Sequence, residues 1–238
     1  MAGDIVIIFD FDRTLIDDDS DQWVLTNMDL TDHFNQLRDT LPWNSLMDAM
    51  LKELYLRGKT VQDIAECLKS VPLHPHIIAA IRSAHALGCD LKVASDSNSF
   101  YIKTILEHHG IYSCFSEIIT NPVSTDGGRL RIFPYQDASS PHGCDLCPPN
   151  LCKGGVIKQI QASMLDGPSK RLIYIGDGKN DLCPTLTLVE GDFVMPRKNY
   201  SLWKHILKNL RLVKAKVCEW NDGADLARIL IELVNMLR

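Results

Sequence analysis

Asp10 and Asp12 are the residues in this chain best placed to do chemistry. They follow the apolar run Ile5-Val-Ile-Ile-Phe9 in the segment Phe9-Asp-Phe-Asp-Arg-Thr-Leu15. Two carboxylates at i and i+2 share one side of a continuing strand, and they fan around one point where the strand opens into a loop. Carboxylates brought that close raise one another's pKa unless a cation lies among them, so the spacing favours a divalent metal or a shared proton. The plainer alternative is that both cap the loop, as Asp commonly does where strands end. Two later strand-like runs end in a similar way: Ser95 follows Leu91-Lys-Val-Ala94 and Gly176-Asp177 follow Leu172-Ile-Tyr-Ile175, while Lys153 stands just before the helical stretch Gly154–Met164.

A second constellation is rich in sulfur. Cys144-x-x-Cys147, with Cys152 five residues on and His142 two before, has ligand types and spacing compatible with tetrahedral zinc. It lacks the second separated pair of a zinc ribbon. Reduced thiols packed in a loop are the competing reading, and Cys183 reads as core rather than ligand. A bound zinc would brace the Pro148-Pro149 turn and aim Lys153.

These residues need a scaffold, and the pattern around them supplies one. The three short apolar runs ending in polar or acidic residues suit central strands of a parallel sheet. Between them, His76–Leu87 and Phe100–His109 carry apolar residues at helical spacing, and Gly88 and Gly110 stand where helix C-terminal glycines are expected. From Asp17 to Leu73 the chain reads as short helices, including Trp43–Tyr55 and Thr60–Lys69 with Thr60 as N-cap, which makes a helical insert after the first strand. The stretch Asn121–Asn150 reads as irregular with a hairpin at Asp126-Gly-Gly128. Helices are expected at Gly154–Met164 and Asp222–Leu237. The fold class is therefore α/β, a Rossmann-like parallel-sheet core with an α-helical cap.

Composition narrows the function. The chain has 238 residues, 25 Lys+Arg against 30 Asp+Glu, and 45% hydrophobic residues, as expected of a globular protein with a packed core. A net charge of −5 offers no basic stripe for a phosphate backbone, so no nucleic-acid partner is expected. No apolar run approaches the roughly 18–20 residues that cross a bilayer, so no membrane association is expected either. The chain enters its first strand almost at once, which leaves no room for a signal or transit peptide and points to a cytoplasmic protein. In that setting the eight cysteines should be reduced or metal-bound.

The ordered set Asp10-Phe-Asp12-Arg-Thr14, Ser95, Lys153 and Asp177 to Asp181 resembles the haloacid-dehalogenase superfamily of phosphohydrolases across most of the chain. The segments Phe9–Asp21, Ser95-Asp-Ser-Asn98, His142–Lys153 and Gly176–Pro184 are similar to its phosphoethanolamine/phosphocholine phosphatase branch. That branch includes plant members described as acting on inorganic pyrophosphate or thiamine monophosphate, and the whole chain is most similar to these. The resemblance implies a core of residues 1–16 and 74–238 with a cap of residues 17–73. It makes Asp10 the nucleophile that forms an aspartyl-phosphate and Asp12 the general acid and base. Mg2+ would be held by Asp10, Asp177 and the backbone carbonyl of Asp12, with Asp181 as a further ligand or a support behind them. Ser95 and Lys153 would bind the phosphoryl oxygens.

The substrate implied is a small phosphate ester. Asp21 and Asp96, which the family sets near the leaving group, are extra anions beside a phosphate site and call for a cationic ester such as thiamine monophosphate, phosphoethanolamine or phosphocholine. Trp23 and Trp43 are either a cation–π face for that cation or helix packing. Relatives commonly carry Ala at Ser97 and a small residue at Lys179, so the substrate does not transfer directly. An inorganic pyrophosphatase on the same site, and a binding protein without catalysis, are the competing functions.

Overall fold

The computed structural model describes residues 4–136, 142–164 and 170–238. The chain start at 1–3, and residues 137–141 of the stretch expected to be irregular, lie outside the described residues. Strand β1 (Ile5–Phe9) is followed by four helices, α1 (Ser20–Asn27), α2 (Thr31–Leu37), α3 (Trp43–Leu56) and α4 (Val61–Lys69). Then come α5 (Pro75–Ala86), β2 (Asp90–Asn98), α6 (Ser99–His108), β3 (Phe115–Asn121) and the hairpin strands β4 (Val123–Asp126) and β5 (Arg129–Ile132). The chain continues through α7 (Lys153–Ser163), β6 (Arg171–Gly176), α8 (Leu182–Thr187), β7 (Phe193–Pro196), α9 (Ser201–Lys208), β8 (Lys216–Val217) and α10 (Gly223–Leu237).

Six strands form a parallel sheet in the order β3-β2-β1-β6-β7-β8. This is the expected α/β class with helices around a parallel sheet. β1 lies centrally, and its five residues are all buried because helices cover both faces of the sheet. Alternation divides its side chains: Ile5, Ile7 and Phe9 join the core shared with α5, α6, α10 and the four early helices, whereas Val6 and Ile8 pack toward α7 and α9. β3, β7 and β8 have no counterpart among the expected strands.

Local signals set most helix ends. Thr60 and Asp63 form a capping box at α4, with Thr60 N donating to Asp63 Oδ2 at 2.7 Å and Asp63 N to Thr60 Oγ1 at 3.1 Å. Gly88 and Gly110 follow α5 and α6 at φ +83° and +63°, a left-handed backbone that a Cβ disfavours. Gly127 and Gly128 form the turn of the β4–β5 hairpin, where both residues have positive φ. That hairpin is tied to α3, with Arg129 and Asp48 paired at 2.6 Å and Ile132 N donating to Asp48 Oδ1 at 3.2 Å. Among the described residues no helix is long and apolar enough to cross a membrane.

Candidate active site

The parallel register brings the carboxyl ends of three neighbouring strands together. Phe9 pairs with Ile175 and Val93, and Asp10 N donates to Ile175 O at 2.8 Å. Asp10 therefore leaves β1 beside Asp177 at the end of β6 and Ser95 near the end of β2, the edge at which open α/β sheets bind ligands. Lys153 is the first residue of α7, after its N-cap Cys152.

Lys153 is fully buried, and its Nζ lies 2.7 Å from Asp10 Oδ1 and 2.8 Å from Asp181 Oδ1. Tyr174 Oη also donates to Asp181 Oδ1, at 2.6 Å, and the amides of Asp177 and Gly178 donate to Asp181 Oδ2 at 3.1 and 2.9 Å. Both Asp181 oxygens are thus engaged by protein donors. Asp10, Asp177 and Asp181 form one cluster of potential ligands whose oxygens lie within 4.8 Å of one another. Burial, then the charge of Asp181, pushes Asp10 well above the usual carboxylate range while Lys153 pulls against it. The same two causes lift Asp177 to about 6. Three buried carboxylates face a single ammonium, an anionic all-oxygen donor set suited to a hard divalent cation such as Mg2+.

Asp12 stands apart from this cluster. Its Oδ1 accepts from Ser20 N at 2.7 Å, and burial followed by the charge of Asp19 raises it to about 7. A carboxyl group in that range can both give and take a proton near neutrality. Arg13 next to it has a left-handed backbone (φ +56°), and its carbonyl is held by Arg197 Nη1 at 2.7 Å. Ser95 is buried, and its Oγ accepts from Ser97 N at 3.2 Å, which leaves its O–H to donate elsewhere.

These groups open into a cleft of about 800 Å³ that is lined by Asp10, Asp12, Ser95 and Asp177 on the sheet side and by Asp21, Trp43 and Asn44 on the helical side. Asp21 and Asp96 both line it. Asp21 Oδ2 accepts from Trp43 Nε1 at 3.0 Å and Asp96 Oδ2 from Asn180 Nδ2 at 2.7 Å. The second oxygen of each, Asp21 Oδ1 and Asp96 Oδ1, is buried with no partner among the described residues. Burial first, then Asp12 and Asp19, holds Asp21 well above its ordinary range.

Residues 5–234 match the family described as "Putative Phosphatase". The chain belongs to that family. Within it, the chain is 57% identical over 236 residues to a thiamine phosphate phosphatase-like protein of Arabidopsis thaliana, covering 98% of this chain and 96% of the relative. It is 53% identical to inorganic pyrophosphatase 2 of the same plant, over 98% and 85% of the two chains. A solved phosphoserine phosphatase described as a phospho-aspartyl intermediate analogue shares the fold at a TM-score of 0.61 and 16% identity, over 96% of this chain and 98% of the other. This family member is a haloacid-dehalogenase-type phosphatase, a phosphoric monoester hydrolase.

Several residues of this family member were not singled out by sequence. Asn121, at the end of β3, donates from Nδ2 to the carbonyls of Asp96 and Ser97 at 2.6 and 2.8 Å. Its Oδ1 accepts from Asn44, Asn150 and the Tyr135 amide at 3.0, 2.7 and 3.0 Å, tying the helical side of the cleft to the sheet. Tyr174 gave no sequence signal beyond its place in an apolar run. Ser97 is buried with its Oγ 2.9 Å from that of Ser20, whereas Lys179 is exposed and does not line the cleft. The two tryptophans separate: Trp43 lines the cleft at 43% exposure, while Trp23 donates to Cys67 O and Ser70 Oγ and packs helices. Asp21 is not a helix cap, because Asp19 occupies that position in α1.

The expected zinc ligand set is corrected at one position. Cys144, Cys147 and Cys152 come together with Cys183 of α8, not with His142. The imidazole of His142 is spent on the loop itself, with Nε2 2.8 Å from Pro148 O and Nδ1 accepting from Cys144 N at 3.1 Å.

Proposed function

We propose that this phosphatase hydrolyses small phosphomonoesters with cationic leaving groups, of the size and charge of thiamine monophosphate, and does so through a phosphorylated Asp10. The observation that carries the substrate class is the pair of buried, unpartnered oxygens on Asp21 and Asp96, which line the same cleft as Asp10 and Asp12. A buried carboxylate oxygen without a donor is costly, and an ammonium, quaternary amine or thiazolium in the cleft relieves both at once. Trp43, held edge-on by Asp21, offers that cation an aromatic face. The cleft volume lies within the range that encloses ligands larger than phosphoethanolamine.

The chemistry follows from the groups around Asp10. Its carboxylate attacks phosphorus as the ester P–O bond breaks, and Asp12, protonated near neutrality, gives its proton to the departing alkoxide. Asp12 then removes a proton from the water that attacks the aspartyl-phosphate, releasing phosphate and restoring Asp10. Ser95 donates its O–H to a phosphoryl oxygen, and Lys153 balances the charge that accumulates on the others. Asp10, Asp177 and the backbone carbonyl of Asp12 would hold Mg2+, which when bound supplies positive charge against the phosphoryl oxygens. With both its oxygens engaged, Asp181 serves to position Lys153 and the Asp177 loop.

Pyrophosphate is the competing substrate, since two relatives, 53% and 50% identical to this chain, carry that activity in their names. Its leaving group is itself an anion and would meet Asp21 and Asp96. The test compares kcat/KM for thiamine monophosphate, phosphocholine, a neutral ester of similar size and pyrophosphate. Asp21→Asn should lower the cationic-to-neutral ratio, by up to about a hundredfold because Asp21 is buried. An unchanged ratio removes Asp21 from substrate selection, and a wild type that prefers pyrophosphate to every cationic ester replaces this reading with the competing one.

A further inference from the structure

Four of the eight cysteines meet at one point. Cys144, Cys147 and Cys152 lie in the loop before α7, Cys183 lies in α8, and their four sulfurs are all within 4.8 Å of one another. We infer that they hold a structural zinc ion in an all-sulfur tetrahedral site. Zinc–sulfur bonds of about 2.3 Å in a tetrahedron set neighbouring sulfurs about 3.8 Å apart. Cys183 Sγ lies 3.6 Å from Cys144 Sγ and 3.9 Å from Cys152 Sγ. Disulfide bonding needs about 2.05 Å between two sulfurs and leaves the convergence of four unexplained.

One backbone feature favours a thiolate at Cys152. Cys152 is the N-cap of α7, an eleven-residue helix, and its sulfur accepts from Gly155 N at 3.3 Å, so the positive end of the helix faces the cluster. Gly154 is the residue that lets α7 approach α8, because a Cβ there would run into Cys183 Sγ. Zinc uptake would displace the thiol protons and join the four sulfurs in one closed complex.

The site touches the catalytic groups on both sides without containing any of them. Cys152 immediately precedes Lys153, Cys183 follows Asp181 by two residues, and Pro148, Pro149 and Asn150 of the same loop line the cleft. The ion fastens the loop, the start of α7 and the start of α8 together, and so fixes the point from which Lys153 reaches Asp10 and Asp181.

Elemental analysis of the full chain, purified without a metal-affinity tag, should find about one zinc per chain, and zinc-edge X-ray absorption should show four sulfur neighbours at about 2.3 Å. Cys144→Ser and Cys183→Ser should each lose most of the metal, while His142→Ala keeps it. The wild-type measurements stand even if a cysteine variant does not fold. A metal-free protein with all four thiols titrating, a protein missing two thiols to a disulfide, an iron-loaded site, or a sulfur count of three with one nitrogen that disappears in His142→Ala would each overturn the inference. None of these outcomes depends on which ester is the substrate.

Discussion

Replacing Lys153 with Met tests the electrostatic account of the site most directly. Lys153 is fully buried and Asp10 is 8% exposed, so neither charge is screened by water to any useful extent. Removing one member of a buried ion pair costs about 3–5 kcal/mol, because the remaining carboxylates keep their desolvation and lose their partner. In a chain of this size each kcal/mol moves Tm by about 2–4 °C, so the variant should melt about 6–20 °C below wild type near pH 8 without added metal. The direction with pH follows from the carboxylates. Lys153 lowers both Asp10 and Asp177, which burial and Asp181 otherwise raise, with Asp177 at about 6. Without the ammonium both titrate higher still. A raised folded-state pKa leaves stability intact below the unfolded value of about 3.9 and withdraws it as pH rises through the folded value. The deficit of the variant should therefore be small near pH 4 and grow toward pH 8, and Mg2+ should narrow it by supplying positive charge to the same oxygens. The assay is paired thermal melts from pH 4 to 8, with and without Mg2+. A deficit below about 2 °C at pH 8, or one that shrinks as pH rises, refutes the reasoning.

Asp10→Asn should abolish phosphate release while lowering Tm less than Lys153→Met does, since the amide cannot attack phosphorus, yet it relieves the repulsion from Asp177 and Asp181 and leaves Lys153 paired with Asp181; near-normal turnover ends the aspartyl-phosphate proposal. With Asp12 at about 7 and needed protonated for the first step, kcat/KM should fall above about pH 7, and Asp12→Asn should lose about 10²–10⁴-fold together with that limb of the profile. The Mg2+ concentration for half-maximal activity should rise below about pH 6, where Asp177 takes up its proton, and a flat dependence removes Asp177 from the metal. Gly176→Ala would set a Cβ about 2.5 Å from Asp181 Oδ2, so it should cost about 1–3 kcal/mol in stability and at least tenfold in kcat by shifting the carboxylate that holds Lys153; a variant with wild-type Tm and kcat removes that role from Asp181.

Much of this protein was legible in the sequence because its signals are local. The apolar runs at Ile5–Phe9, Leu91–Ala94 and Leu172–Ile175 are strands wherever they are buried on both faces, and the acidic or hydroxyl residues that follow them must emerge at one edge of a parallel sheet. Thr60, Gly88, Gly110 and the Gly127-Gly128 turn act within a few residues of themselves, and each lies where its own chemistry directs. Lys153 was legible only as one of an ordered set, since a lysine at a helix start is by itself most often a surface residue.

The tertiary structure decided what depends on residues far apart in the chain. β7 and β8 span four and two residues and carry no pattern of their own; they are strands because β6 offers an edge to β7 and β7 in turn offers one to β8. Asn121 has no motif, yet its side chain collects partners from residues 44 to 150. Trp23 and Trp43 look alike in sequence, and only the packing of α1 against α4 and the opening of the cleft give one to the core and the other to the site. Cys183 read as a core residue because it lies 31 positions from Cys152, and spacing along the chain says nothing about two elements brought together by the sheet. His142, adjacent to the cysteines in sequence, was drawn away by the carbonyl of Pro148. Sequence thus determined which chemical groups stand at the edge of the sheet, because strand ends are local features. The fold alone decided which of them meet, because that follows from long-range packing.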